Sequence, residues 1–216
     1  MSGRVASVNV GQKRTLTAGG QTFESAIYKD AIDGPVLVRG VNLAGDDQAD
    51  RTVHGGADRA VYAYASDDYA WWSAQLDRPL APGTFGENLT VDGMAVSEAV
   101  VGERWAVGSD VELEVSSPRV PCYKLAARMD DPRFIKRFAQ ALRPGSYLRI
   151  TREGTVRKGD SIRITYRPAH GIRVVDVARI YQFDRDELAS LLRAPELGAE
   201  WIAWIHEHLS KSSEAS

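Results

Sequence analysis

The chain carries a single cysteine, Cys122, inside the run Pro118-Arg119-Val120-Pro121-Cys122-Tyr123-Lys124-Leu125. A thiolate is both a nucleophile and a soft metal ligand, and the flanking charges of Arg119 and Lys124 favour that form. Pro118 and Pro121 hold the approach in an extended path. A small buried hydrophobe is the other role of a lone cysteine, and the local residues leave both open. Three further segments set polar groups beside residues that fix the backbone, which suits a site on a rigid scaffold. They are Asp46 to Gly56, Pro82 to Leu89 and Pro144 to Arg149. In the first, Gly55 and Gly56 let backbone N–H groups approach an anion, and Arg51 or Arg59 adds charge. Equally, His54 is a loop histidine beside turn glycines; nothing in the sequence brings it to Cys122. Asp46, Asp47 and Asp50 lack the spacing and closing Glu of a calcium loop, so they are expected to form a solvated acidic turn. Glu87 and Asn88 either line a site or cap a turn before a strand at Leu89 to Val91.

Several chemistries are excluded. No G-x-G-x-x-G follows a strand, and Asp160 stands where a phosphate-binding loop starting at Gly154 would need lysine. No G-x-S-x-G nucleophile elbow is present. His206 and His208 are two apart on a helix and point away from each other, so they cannot chelate one zinc. One cysteine rules out an intramolecular disulfide, a cysteine zinc ribbon and a four-thiolate iron–sulfur cluster. With 27 Lys plus Arg against 29 Asp plus Glu, the net charge is −2, which argues against a dedicated nucleic-acid binder. No apolar run is long enough for a signal peptide or a membrane span, so a soluble cytoplasmic protein is expected.

The elements that must position these residues are mostly short strands. Ala6, Val8 and Val10 alternate with polar residues, as do Val111, Leu113 and Val115. Val36 to Val41 and Ala60 to Tyr64 read as strands buried on both sides. Leu148 with Ile150, and Ile162 with Ile164 and Tyr166, read as a hairpin across Glu153-Gly154 and Lys158-Gly159-Asp160. Two helices interrupt them. One is opened and capped by Ser66, with Asp67 and Asp68 in its first turn and Tyr69, Trp72 and Leu76 on one face. The other follows Asp131-Pro132, carries Phe134, Ile135, Phe138 and Leu142, and stops at Pro144-Gly145. Beyond Pro168 three short helices are expected, the middle one from a capping box at Asp184 and Glu187. They are too small to hold a core alone and should pack on the barrel. The tryptophans at 71, 72, 201 and 204 sit at helical spacing and read as packing residues. The expected organisation is a mainly β domain over residues 1–168 and a three-helix appendage over 169–216.

Taken in order, these segments resemble the MOSC family, named for the C-terminal part of molybdenum cofactor sulfurases, and within it the stand-alone YiiM-like branch. The similarity runs through the aspartate-rich turn with His54-Gly55-Gly56, Ala60 to Tyr64, Trp72, Gly83, Phe85-Gly86-Glu87-Asn88-Leu89, Pro118-Arg119, Pro121-Cys122, Lys124-Leu125, Tyr147-Leu148-Arg149 and Gly159-Asp160. Ser146, where that branch often has tryptophan, and Arg51-Thr52-Val53 depart from the pattern.

The resemblance implies a MOSC-type β-barrel that binds a molybdenum–pterin cofactor, with Cys122 as protein ligand to molybdenum. Pyridoxal phosphate binding is not expected. It also implies an oxidoreductase that reduces N-hydroxylated compounds, including hydroxylamino base analogues, to amines. Arg51, Arg119, Lys124 and Arg149 are the candidates for the cofactor's phosphate and pterin edge. His54, Gly55, Gly56, Phe85, Gly86, Glu87, Asn88, Pro121 and Tyr147 complete the cofactor-binding set. With no nicotinamide fingerprint and no iron–sulfur cluster, electrons are expected from an external reductase, a flavoprotein. A non-catalytic cofactor carrier, or a sulfur-transfer protein with a Cys122 persulfide, would share these features.

Overall fold

The computed structural model describes residues 2–47 and 56–214. In chain order its strands begin with β1 (Ser2–Val10), β2 (Arg14–Ala18), β3 (Gln21–Ser25), β4 (Asp30–Ala31), β5 (Val36–Arg39), β6 (Asn42–Leu43) and β7 (Val61–Ala65). Helix α1 (Ser66–Leu76) leads to β8 (Leu89–Asp92), β9 (Arg104–Val107) and β10 (Val111–Pro118). Helices α2 (Tyr123–Met129) and α3 (Phe134–Ala141) precede β11 (Ser146–Arg152), β12 (Gly154–Val156) and β13 (Ser161–Tyr166). The chain closes with α4 (Val174–Gln182), a 3₁₀ stretch at Arg185–Arg193, and α5 (Ala199–Glu214).

Seven strands close a barrel in the order β1, β8, β7, β11, β10, β9, β13, with β13 pairing back onto β1. The short strand β4 adds to the far end of β1. All neighbours are antiparallel except β7 and β8, which run parallel because α1 and the following loop carry the chain across. The alternation of β10 places Val111, Leu113 and Val115 in the core. It breaks at Ser116, where a bulge shifts the register against β11 and every later residue of the strand is buried. That outer surface is covered by the C-terminal helices, whose Val177, Ile180, Leu191 and Ile205 join the barrel residues in one apolar core. Asp58 accepts the Ala199 N–H at 2.8 Å and Gly198 N–H donates to the Ser116 carbonyl at 3.2 Å, so main-chain bonds fix the start of α5. No helix among the described residues is long and apolar enough to cross a membrane.

A second core is aromatic. Tyr62 and Tyr64 of β7 meet Tyr69 and Trp72 of α1, Phe85, and Phe134 and Phe138 of α3, with Leu125 and Met129 of α2 packed beside them. The Trp72 indole N–H donates to Tyr64 Oη at 2.8 Å, and that hydroxyl donates to the Arg143 carbonyl at 2.9 Å.

Four local expectations are corrected. β11 and β13 do not form a hairpin: β11 lies between β10 and β7, and β13 between β9 and β1. The glycine-marked turn between them instead contributes β12, which pairs with β5. β5 alternates buried and exposed residues, so only β7 is buried throughout. Ser66 is already helical; the cap position is Ala65, in extended conformation, because β7 runs straight into α1. Arg185–Arg193 is 3₁₀ rather than α, since the Asp184 and Glu187 carboxylates are drawn to Arg179 of α4 (2.6 and 3.0 Å) instead of capping. Helix α2, directly after Cys122, was not anticipated from its short KLAARM pattern.

Candidate functional site

The bulge at Ser116 turns the end of β10 so that Ser117 and Pro118 sit opposite Tyr147 and Ser146 of β11. Bulges commonly re-aim strand ends in this way. The chain then runs through Arg119 and Pro121 to Cys122, the cap residue of α2, whose carbonyl accepts the N–H groups of Leu125 and Ala126. Cys122 is half-buried and its thiol is free. It lines two cavities at once.

The first cavity, about 120 Å³, carries more cations than anions: Lys29, Arg59, Arg119 and Lys124 line it against Asp46 and Asp47, with Asn88, Gly86 and Tyr147 beside them. Arg119 is its most constrained cation. The residue is only 8% exposed, its Nη1 donates to the Phe85 carbonyl at 2.5 Å, and its guanidinium lies 5.1 Å from the Tyr62 ring centroid. Its Nε has no hydrogen-bond partner. Burial works against the Arg119 charge, but Tyr147, Tyr62, Cys122 and Glu87 around it prevail and hold its proton more tightly than usual. A buried guanidinium with an unused donor is what an anion site requires. Gly86 lets Ile27 and the guanidinium pack closely against the backbone: its φ is +73°, and a Cβ there would meet Ile27 Cγ1 at 2.9 Å and Arg119 Nη1 at 3.4 Å. Lys29 and Asp46 form a buried ion pair in the same wall, and burial lowers the Lys29 pKa.

The second cavity, about 310 Å³, lies between the barrel end and the C-terminal helices. Val120, Pro121, Cys122 and Tyr147 face it from the barrel; Tyr181, Trp201 and Trp204 face it from α4 and α5. The Arg59–Glu200 ion pair, at 2.7 Å, contributes to its lining.

The predicted site residues separate into groups. Gly86, Asn88, Arg119, Cys122, Lys124 and Tyr147 meet at the first cavity, and Pro121 joins at the second. Phe85 and Glu87 are fully buried behind them. Arg149 lines neither cavity and is held by Asp58 and Glu114 at 2.5 and 2.9 Å. Gly56, with φ +92°, leads into the short turn Ala57–Arg59. Arg51, His54 and Gly55 lie outside the described residues. Ser146 is buried and donates to the Val96 carbonyl at 2.8 Å, so it fills a strand position behind the site. The expected solvated turn is corrected at Asp46. Its side chain is 2% exposed and accepts from Lys29, from Asn88 Nδ2 at 2.8 Å and from the Gly11 N–H at 2.7 Å. Sequence reading missed Lys29, a lone cation in the run Ala26-Ile27-Tyr28-Lys29-Asp30-Ala31-Ile32 with no glycine or proline to mark it, and the site-lining role of Tyr181, Trp201 and Trp204, whose helical spacing signals packing. Among the described residues, no group of three or more His, Cys, Asp or Glu side chains could hold a metal ion. The soft donor of Cys122 is the distinctive one.

Glu87 is a hub rather than a lining residue. Its Oε1 accepts from Tyr69 Oη, the Gly83 N–H and Thr90 Oγ1 at 2.6 to 2.7 Å, while Oε2 has no partner. Burial pushes its pKa above the ordinary 4.5, against the pull of those donors. The folded state therefore binds this proton more tightly than the unfolded chain, and stability falls as pH rises from 4.5 through the folded value. Glu87→Gln keeps the three accepted bonds without a titrating group. Thermal melts from pH 5 to 8 should show the variant gaining on the wild type as pH rises; a constant difference would contradict the raised pKa.

Comparison with known proteins places this arrangement. Residues 50–163 match the model of the MOSC domain. The chain is 33% identical to YflK of Bacillus subtilis (strain 168) over 207 residues, spanning 96% of this chain and 93% of that protein. The chain belongs to the MOSC family. Within it, YiiM of Escherichia coli (strain K12) is 32% identical over 186 residues, covering 82% of this chain and 81% of YiiM. A protein of Gibberella moniliformis named "Reductase" is 36% identical over 200 residues, but this MOSC chain spans only 35% of its length. The crystal structure of YiiM from Geobacillus stearothermophilus superposes with a TM-score of 0.79 at 27% identity, over 96% of this chain and 99% of that one.

Proposed function

We propose that this MOSC protein binds a molybdenum–pterin cofactor where its two cavities meet and reduces N-hydroxylated compounds to amines. The observation that carries the reading is the position of Cys122, lining both a cationic cavity and an aromatic one. The donor set fits such a group: a soft thiolate for a metal already held by sulfur, and buried or half-buried cations for a phosphate. The unpartnered Nε of Arg119 supports the fit. When bound, the cofactor supplies two-electron redox chemistry at the metal. The chain's own residues bind and orient. Arg119 and Lys124 would neutralise the phosphate, Asn88 and Gly86 would hold the pterin, and Tyr147 stands at both cavities. The aromatic wall excludes water on the substrate side.

Converting R–NHOH to R–NH₂ and water consumes two electrons and two protons. Nothing in the sequence draws them from a nicotinamide, so we assign their supply to a separate reductase, a flavoprotein. The fungal relative supports this: a segment like this chain is about a third of a protein named reductase. We take the reaction to run in the cytoplasm, where the Cys122 thiol stays reduced.

Protein from a cofactor-competent host should contain molybdenum and pterin in equal amounts by elemental analysis and pterin fluorescence. Mixed with NADH or NADPH and an N-hydroxylated purine, it should turn over only after a chemical reductant or an electron-transfer partner is added. Absence of both components after reconstitution overturns the reading, and steady turnover with nicotinamide alone overturns the external donor. Bound cofactor without any turnover would instead identify a carrier, and sulfur on Cys122 without molybdenum a sulfur-transfer protein.

A further inference from the structure

The smaller cavity is walled on one side by Ser25 to Ile27 and Lys29, and on another by Arg119, Cys122 and Lys124. The hairpin of β2 and β3 grows directly out of the first wall, since Ser25 ends β3. Its other leg leaves from the same place. Gly11 and Lys13 give their N–H groups to Asp46 and Asp47 at 2.7 and 3.1 Å, and both aspartates line the cavity. A Cβ on Gly11 would collide with the Tyr28 and Ala26 carbonyl oxygens, so the two legs are packed tightly at this root.

Beyond the root the hairpin stands by itself. Its strands pair only with each other, from Arg14 opposite Ser25 to Ala18 opposite Gln21, and Gly19 and Gly20 make the turn with φ of +59° and +76°. Such a turn keeps the strands in register, but two strands without a third are marginally stable in water. Side chains hold the hairpin to the rest of the described chain: Leu16 against the aromatic core, Arg14 to Asp30 at 3.2 Å, and Phe23 edge-on to Tyr123 with ring centroids 4.8 Å apart. The last of these joins the two cavity walls, because Phe23 lies two residues before Ser25 and Tyr123 directly follows Cys122. Neither ring belongs to a core, and Tyr123 is still 49% exposed, so the contact can part without opening the fold. The walls themselves are fixed: Ile27 packs into the aromatic core, and Leu125 and Met129 hold α2 there. Local opening is drawn from the parts of a structure with few buried apolar contacts, which at this cavity means the hairpin.

We propose that the β2–β3 hairpin is a strap across the smaller cavity, which lifts to let the cofactor in and is fastened by Phe23 on Tyr123 once the cavity is occupied. The inference rests on the function proposed above for the identity of the guest, whereas the strap follows from the hairpin's place and attachments. An anionic guest between Lys29 on one wall and Arg119 and Lys124 on the other ties together the walls that the ring contact spans. Occupancy therefore favours the fastened hairpin, and by linkage the fastened hairpin holds the guest more tightly.

Hydrogen exchange of the full chain, followed by mass spectrometry, reads the strap directly. In the empty protein the amides of residues 14–25 should exchange much faster than those of β1 and β7, and filling the cavity with cofactor, or with inorganic phosphate, should slow them. Phe23→Ala removes the fastening ring. It should cancel most of that slowing and speed the loss of pterin from the loaded protein roughly three- to ten-fold, the worth of an edge-on aromatic pair. Its melting temperature should match the wild type, and Phe23→Tyr, which keeps a ring, should restore both readouts. Cofactor uptake with hairpin exchange equally slow in the empty and loaded protein, or with pterin loss indifferent to Phe23, overturns the strap and leaves the proposed function standing. Phosphate that slows hairpin exchange in a protein that never takes up molybdenum does the reverse. A cavity that takes up neither overturns both.

Discussion

Cys122→Ser should abolish reduction while leaving the fold intact. Serine exchanges a soft ligand for a hard one, so molybdenum held through Cys122 loses its protein anchor, and activity should fall by roughly a hundred-fold or more. The structural cost is small for a specific reason. Cys122 is the cap residue of α2 and contributes its carbonyl to Leu125 and Ala126, a bond that the side chain does not affect. Serine is among the preferred residues at that position, so α2 should be as stable as before or slightly more so. Thermal melts should therefore coincide within about 1 kcal/mol, while elemental analysis of the variant shows lost metal. Wild-type activity in the serine variant would remove Cys122 from the chemistry. A large drop in melting temperature with metal retained would return it to a packing role.

The second large effect is on stability. Trp72→Ala should cost about 3–5 kcal/mol, the usual range for emptying a large aromatic from a packed core. Trp72 is nearly inaccessible, lies 4.9 Å from the Phe134 ring and 6.0 Å from Phe138, and gives its N–H to Tyr64. Truncation leaves a void and deprives Tyr64 Oη of its donor. For a chain of this length the melting temperature should fall by roughly 6–20 °C. The loss reaches the site because the same aromatic cluster holds Leu125 and Met129 of α2, the helix that Cys122 begins. A change below about 1 kcal/mol would show that the cluster does not support the barrel end. Trp105, in the other core, should be independent of it, since distant sites add.

Much of the barrel was legible because its strands announce themselves locally. The alternation at Val111 to Val115 survives in the folded chain because one side of the strand meets the core, whereas that of Ala6, Val8 and Val10 does not: a register shift between Val5 and Ser7 leaves Ser7 and Asn9 buried and Ala6 and Val10 half-buried. Strand partners were not legible in the same way. Gly154 and Gly159 signal a turn whichever strands they join, and only the pairing of β12 with β5 and of β13 with β1 shows where the chain goes. The site divided along a similar line. Cys122, Arg119, Lys124 and Asn88 lie in segments marked by proline or glycine, so they drew notice and do meet around one cavity. Lys29 and Asp46 become partners only through a contact 17 residues apart. Trp201 and Trp204 carry the same spacing whether a helix face is covered by protein or borders a cleft, so the sequence pattern could not separate packing from recognition.

The way α5 is anchored bears on how this scaffold can diversify. Its first turn is held by the Gly198 amide on Ser116 and the Ala199 amide on the Asp58 carboxylate. On the helix side both bonds involve only amide groups, so they do not depend on which side chains α5 presents further along. These two bonds therefore hold the start of the helix whatever side chain stands at the partly open Trp204, while the buried Trp201 and Ile205 pack α5 on the core. A change confined to Trp204 would thus alter the cleft beside Cys122 without touching the main-chain bonds that set the start of α5.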